Sequence, residues 1–171
     1  MNRPGWAETS DLLREYYDHE WGLPVRDTPG VYERITLEGF QSGLSWETVL
    51  RKRPAFRQAF VGFDPAAVAQ FGAADVERLM TDASIVRNRR KIEAAITNAQ
   101  ATVALSDAGE DLADVVWSFQ PADPRGHVNA TQSPESVALA AALKKRGFVF
   151  VGPVTMFALM QAIGLVQHRL A

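Results

Sequence analysis

Three dipeptides, Thr28-Pro29, Asp64-Pro65 and Ser133-Pro134, constrain most strongly what this 171-residue chain can fold into. Each places a side chain that accepts hydrogen bonds from the free N–H groups of a helix start directly before a proline. The fixed φ and missing N–H of proline suit the first helical position. Ser10 before Asp11, and Ser45 before Trp46 and Glu47, repeat the signal without a proline. The stops agree: Pro54 closes the segment opened at Ser45, Gly147 follows the 134–146 run and Gly164 follows the 153–163 run. No stretch alternates apolar and polar residues between tight-turn pairs, as a strand does. The chain therefore reads as all-α, with helices expected at 10–18, 29–41, 45–53, 54–61, 65–71, 74–81, 85–104, 111–118, 134–146 and 153–163.

The longest of these serves as a spine, because Ile85, Ile92, Ala95, Ile96, Ala99 and Val103 recur at helical spacing. Asn88 interrupts the stripe and is expected to do something other than pack. Residues 120–132 (QPADPRGHVNATQ) form the one polar, Pro/Gly-containing loop long enough to be mobile. There is no internal repeat, so residues 1–171 read as one unit.

Composition removes several function classes. With no cysteine, disulfides, thiol catalysis and cysteine-ligated metal centres are excluded, and His19, His127 and His168 are the only histidines. The 18 Lys and Arg against 20 Asp and Glu give a net charge of -2, which argues against a protein that coats nucleic acid. The first residues lack the apolar core of a secretory signal, so a cytoplasmic location is expected. Residues 147–166 are nearly all apolar and follow Lys144, Lys145 and Arg146, but Gly152-Pro153 divides them into a turn and a core helix, not a membrane span.

Two distributions say more than the totals. Six of the seven Trp and Tyr residues (Trp6, Tyr16, Tyr17, Trp21, Tyr32 and Trp46) lie in the first 46 positions. Such a concentration is either an ordinary core or a pocket that stacks a flat ring, for which a nucleobase is the natural ligand. Ten of the 18 basic residues fall in three clusters: Arg51-Lys52-Arg53, Arg87-Arg89-Arg90-Lys91 and Lys144-Lys145-Arg146. Each alone reads as a solvated helix end; together they can form a local phosphate-binding surface. The third cluster continues as Gly147-Phe148-Val149-Phe150-Val151-Gly152-Pro153, a helix-hairpin-helix element spanning 134–163. Glycines in such a turn let the backbone approach phosphate, and N–H groups at the second helix start bind it.

In their joint, collinear occurrence, several blocks resemble the 3-methyladenine DNA glycosylase I family of helix-hairpin-helix glycosylases. They are Gly5-Trp6, residues 16–22 (YYDHEWG), Leu37-Glu38-Gly39 continuing to Gly43-Leu44-Ser45-Trp46, residues 82–91 (DASIVRNRRK), residues 116–119 (VWSF) and residues 144–152 (KKRGFVFVG). The resemblance implies base excision: bending alkylated double-stranded DNA, extruding 3-methyladenine, with 3-methylguanine as a second candidate, and hydrolysing its bond to deoxyribose to leave an abasic site. It implies that Glu38 is the catalytic carboxylate that reads the edge of the base. Trp46 stacks on the ring, and Tyr16, Trp21 and Trp6 form further walls. Gly43-Leu44 fills the gap left in the duplex. Lys145, Arg146, Gly147, Val149 and Gly152 hold the DNA backbone.

Family members commonly carry a structural zinc that ties the chain ends together. Here the matching positions hold Pro4, Tyr17 and Arg169, and the chain ends at Ala171 before the last ligand, so no metal or other cofactor is expected and the termini are expected to be loose. Leu13 stands where a tyrosine is common, and Phe40 replaces a more usual polar residue, so both are expected to make the pocket more apolar. No lysine stands in the pocket motifs to form a Schiff base, which points to a monofunctional enzyme; a monomer is the default expectation. The alternatives are a non-catalytic binder of alkylated or distorted DNA with the same fold, and a helical interaction domain whose aromatics are only core.

Overall fold

The computed structural model describes all residues from Met1 to Ala171 and contains nine α-helices and no strand. The helices are α1 (Asp11–His19), α2 (Thr28–Gln41), α3 (Trp46–Ala59), α4 (Pro65–Val68), α5 (Ala73–Met80), α6 (Arg89–Asp107), α7 (Leu112–Trp117), α8 (Pro134–Lys145) and α9 (Pro153–Ala162). Short 3-10 turns stand at Gly5–Glu8 and Val61–Phe63. No helix is long and apolar enough to cross a membrane.

The expected caps form. Ser10 accepts from Leu13 N, Ser45 from Thr48 N, Asp64 from Ala66 N and Ser133 from Ser136 N. At α2 the cap is Asp27, not Thr28: its carboxylate accepts from Gly30 N at 2.9 Å. Thr28 instead donates to the Asp111 carboxylate (2.7 Å) and accepts from Ala113 N (3.2 Å), which joins the start of α2 to the start of α7.

Two helices differ from expectation. Pro54 lies inside α3, so the segments 45–53 and 54–61 are one helix. A proline withholds one N–H from the ladder, but the far half of α3 is anchored by Phe56, wholly buried with its ring 4.7 Å from that of Phe40, and by Ala59 and Phe60. Burial of that face outweighs the lost bond. The long helix starts at Arg89, four residues later than expected, because Asn88 caps it by accepting from Lys91 N. Ile85 stays in the core from the turn before it.

One hydrophobic cluster of 34 residues runs through the molecule. α2 is its axis, packing against α3, α6, α7 and α9, with the Tyr32 hydroxyl donating to Ala95 O of α6 at 2.7 Å. A helix enclosed on so many sides buries polar positions too, including Glu33, Thr36 and Glu38. Glu33 is paired with Arg57 at 2.6 Å and Arg34 at 3.0 Å.

The termini are joined, contrary to expectation. Arg169 stacks over the Tyr17 ring at 4.9 Å and donates to the carbonyls of Tyr17 (2.6 Å), Asp18 (3.4 Å) and Trp21, which cap the C-terminal end of α1 with a cation. Leu170 N donates to the Tyr17 hydroxyl at 2.8 Å, and Asn2 Nδ2 to Ala171 O at 2.9 Å. Arg3 holds Asp18 through two 2.7 Å bonds. Tyr17 and Arg169 thus belong to a clasp that ties the chain ends together, while Pro4 takes no part in it. The 120–132 loop is tied down as well: Gln167 N donates to Pro124 O (2.8 Å), and the buried His168 ring bonds Gly126 O (2.9 Å) and Gln161 (3.1 Å).

Candidate active site

α1, α2, the start of α3, α9 and the first turn of the chain enclose a cavity of about 410 Å³. All five residues expected to handle the base, Glu38, Trp46, Tyr16, Trp21 and Trp6, line it. Helical geometry brings them together: Tyr16 faces inward from α1, Glu38 from the last turn of α2, and Trp46 opens α3 directly after the Ser45 cap. The Tyr16 and Trp46 rings lie 5.7 Å apart, tilted by 51°. Trp6 meets Trp21 edge-on at 5.6 Å. Trp21 stacks on Tyr17 at 5.4 Å, so the clasp at the chain ends supports one wall of the cavity from behind.

Glu38 is the one carboxylate buried in this cavity wall, 7% exposed, and no protein group hydrogen-bonds to it. The contrast with paired Glu33 on the same helix marks it as a group held for something else. Burial pushes its pKa up to about 8. Burial also raises the Tyr16 hydroxyl well above its ordinary value, with the Glu38 charge adding to the effect. Arg53, 5.9 Å from the Tyr16 ring centroid, is engaged by both oxygens of Glu20 at 2.6 and 2.7 Å.

The cavity also takes in residues the sequence reading did not single out: Thr9, Gln41, Glu47, Ala158 and Gln161. Gln41 lies three residues beyond Glu38 on the same helix face, a spacing visible in the sequence; Ala158 and Gln161 come from α9, whose approach only the tertiary fold reveals. Leu13 lines the cavity as expected. Phe40 does not. Two residues from Glu38 means the opposite side of α2, where Phe40 packs on Phe56 and Phe60 in the core, so it leaves the pocket's polarity unchanged.

Gly43 and Leu44 are not part of the cavity wall; they form the turn between its lining residues Gln41 and Ser45. Ser42 (φ -51°, ψ 119°) and Gly43 (φ 80°) make a type II turn closed by Leu44 N to Gln41 O at 2.8 Å, a turn that requires glycine at its third position. Gln41 Nε2 bonds back to Leu44 O at 2.8 Å. At the hairpin, α8 ends in a paired motif at Gly147 (φ 89°): Phe148 N bonds Leu143 O and Gly147 N bonds Lys144 O, both at 3.1 Å. Lys144 and Lys145 project freely, whereas Arg146 turns to Glu110 at 3.3 Å. Val149 and Phe150 are exposed, and Gly152 caps α9 with open space where a Cβ would stand. Pro153 has no N–H, so the donors at the start of α9 without a protein acceptor are those of Val154 and Thr155, groups of the kind that bind phosphate.

No three His, Cys, Asp or Glu side chains come together as a metal site, and Pro4, Tyr17 and Arg169 are not a zinc ligand set. The pattern of the methyladenine glycosylase family matches residues 6–171. The chain belongs to that family. DNA-3-methyladenine glycosylase 1 of Escherichia coli (strain K12) is 47% identical to this methyladenine glycosylase, over 99% of this chain and 94% of its own. A crystal structure of 3-methyladenine DNA glycosylase I superposes with a TM-score of 0.91 at 46% identity, covering 96% of this chain and 94% of that one. A tyrosine-to-phenylalanine variant of 3-methyladenine DNA glycosylase I, solved in complex with 3-methyladenine, gives a TM-score of 0.91 at 34% identity, covering 99% and 95%. The methyladenine glycosylase fold is therefore shared along the whole chain.

Proposed function

We propose that this chain is a DNA-3-methyladenine glycosylase: a base excision repair enzyme that hydrolyses the bond between 3-methyladenine and deoxyribose in alkylated double-stranded DNA and leaves an abasic site. The observation that carries the reading is Glu38, a buried carboxyl without a protein partner, set into an aromatic-walled cavity of base size. N3-methylation makes adenine cationic, so the base departs with the bonding electrons as a neutral molecule while water adds to the sugar carbon, and little acid assistance is needed. The protein's part is to take up the flipped base and favour its charged form. Trp46 and Tyr16 offer ring faces to the cation, and its positive charge beside Glu38 offsets the effect of burial and draws the carboxyl into its ionised form, which accepts hydrogen bonds from the edge of the base.

With no lysine in the cavity wall, no Schiff base forms and the reaction stops at hydrolysis. A cavity walled by helices of a single chain supports a monomer, and the Arg169 clasp at the chain ends supports a fold that needs no structural metal. The test is release of free bases from alkylated duplex DNA, resolving 3-methyladenine, 3-methylguanine and 7-methylguanine. The expected result is release of 3-methyladenine that falls in Glu38→Gln by on the order of 100-fold, the size typical of a lost electrostatic contact at a reacting group. A folded wild-type protein that releases no base but binds alkylated duplex overturns catalysis in favour of a damage binder.

A further inference from the structure

Two loops of this molecule face DNA in the reading above, the turn at 42–44 and the hairpin at 147–152, and both are gripped by one helix. Lys91, in the first turn of α6, sends its Nζ to the carbonyls of Phe40 (2.9 Å) and Ser42, the unsatisfied C-terminal end of α2. Asn98, seven residues on and 3% exposed, exchanges both amide bonds with the backbone of Val149: Nδ2 donates to Val149 O at 3.0 Å and Oδ1 accepts from Val149 N at 2.8 Å. Seven residues are two turns, so the two side chains leave the same face of α6 about 10.5 Å apart along its axis. Between them Gly39 faces Phe150 so closely that a Cβ on Gly39 would stand 3.9 Å from that of Phe150. Neither contact belongs to the base cavity, and neither side chain meets a carboxylate.

We propose that Lys91 and Asn98 are positioning residues for base excision: they hold the loop at 42–44 and the hairpin at a fixed separation, so that DNA bound at one is met in register by the other. The inference rests on the glycosylase reading and adds to it the part that sets the geometry of duplex opening. Lys91 replaces the missing cap of α2 and so fixes the backbone from which the turn to Leu44 departs. Asn98 does the same for the hairpin without offering any group to DNA. A fixed separation matters because the base must be pushed out and the backbone held in one event. Displacement of such elements by about 1 Å costs on the order of 10- to 100-fold in rate.

The experiment compares wild type with Lys91→Met, which keeps the length of the side chain and removes its charge, and Asn98→Leu, which keeps the approximate shape, adds no charge and removes both bonds to Val149. Single-turnover excision from alkylated duplex, affinity for free 3-methyladenine and melting temperature are measured on each. The expected pattern is duplex excision slowed on the order of 10- to 100-fold in both variants while free-base affinity stays within about twofold, since the cavity is untouched. Unchanged duplex excision overturns the proposal, and so does an equal fall in excision and free-base binding, which would place the two residues in the pocket or the fold at large. Absence of excision by wild type overturns the glycosylase reading itself, a result visible in the same assay before any variant is compared.

Discussion

Glu38 carries its own thermodynamic signature. A carboxyl whose pKa is about 8 in the folded protein against 4.5 for the free group binds its proton more tightly when folded. Below about pH 4.5 it is neutral in both states and costs nothing; as pH rises towards 8 the unfolded chain ionises first, so the folded state loses ground throughout that window. Glu38→Gln removes the titration. Its stability relative to wild type is expected to grow by roughly 3 to 5 kcal/mol between pH 4.5 and pH 8.5, read by chemical denaturation at the two values. A difference that does not change with pH would show that Glu38 is solvated. The variant expected to lose most of its activity is thus expected to be the more stable protein under alkaline conditions, the usual direction for a residue kept for chemistry at the expense of the fold. What the sequence displayed at this scale was the identity of the aromatic walls and of Glu38, through the collinear motifs. It did not display the burial of Glu38, which follows from α2 being enclosed by four neighbouring helices.

At the scale of elements, caps were legible and interruptions were not. Ser10, Ser45, Asp64 and Ser133 cap as their local patterns indicate, because capping is decided within four residues. Pro54 misleads because whether a helix survives a proline depends on what the next turn buries, here Phe56, and that partner lies on another helix. Phe40 misleads in the opposite way: it neighbours Glu38 in sequence but not in the pocket, because two residues apart on a helix point to opposite sides. The hairpin separates two roles of glycine. Gly147 adopts φ 89°, so Gly147→Ala is expected to destabilise the protein by about 1–2 kcal/mol in denaturant titration. Gly152 sits at φ -68° with nothing within reach of a Cβ, so Gly152→Ala is expected to leave stability within about 0.5 kcal/mol while weakening binding to duplex DNA by crowding the phosphate.

For the molecule as a whole, the clasp at the termini and the disposition of charge decide behaviour. Arg169→Met is expected to lower the melting temperature by several degrees, the effect of roughly 1–3 kcal/mol from orphaned helix-end carbonyls and a lost charge-assisted bond. Adding a chelator to wild type is expected to change nothing, and a chelator-induced drop would overturn the metal-free reading. Of the ten clustered basic residues, Arg51, Arg53, Arg89 and Arg146 are paired with carboxylates and Lys91 with carbonyls, which leaves Lys52, Arg87, Arg90, Lys144 and Lys145. With five cations of these clusters to offer, the logarithm of DNA affinity is expected to fall with the logarithm of salt at a slope of about -4.5, half of what ten free cations produce.

The clasp also orders events in time. Trp6 and Tyr16 come from the start of the chain, Ala158 and Gln161 from α9, and the link between these parts is Gly22 N to Ala162 O at 2.9 Å, Val25 N to Ile163 O at 3.1 Å and the guanidinium of Arg169. A ribosome delivers the first wall long before the last. Until α9 and Arg169 have been made, the cavity lacks the wall that Ala158 and Gln161 supply and the clasp behind Trp21, so the cavity closes in a single late step rather than by degrees.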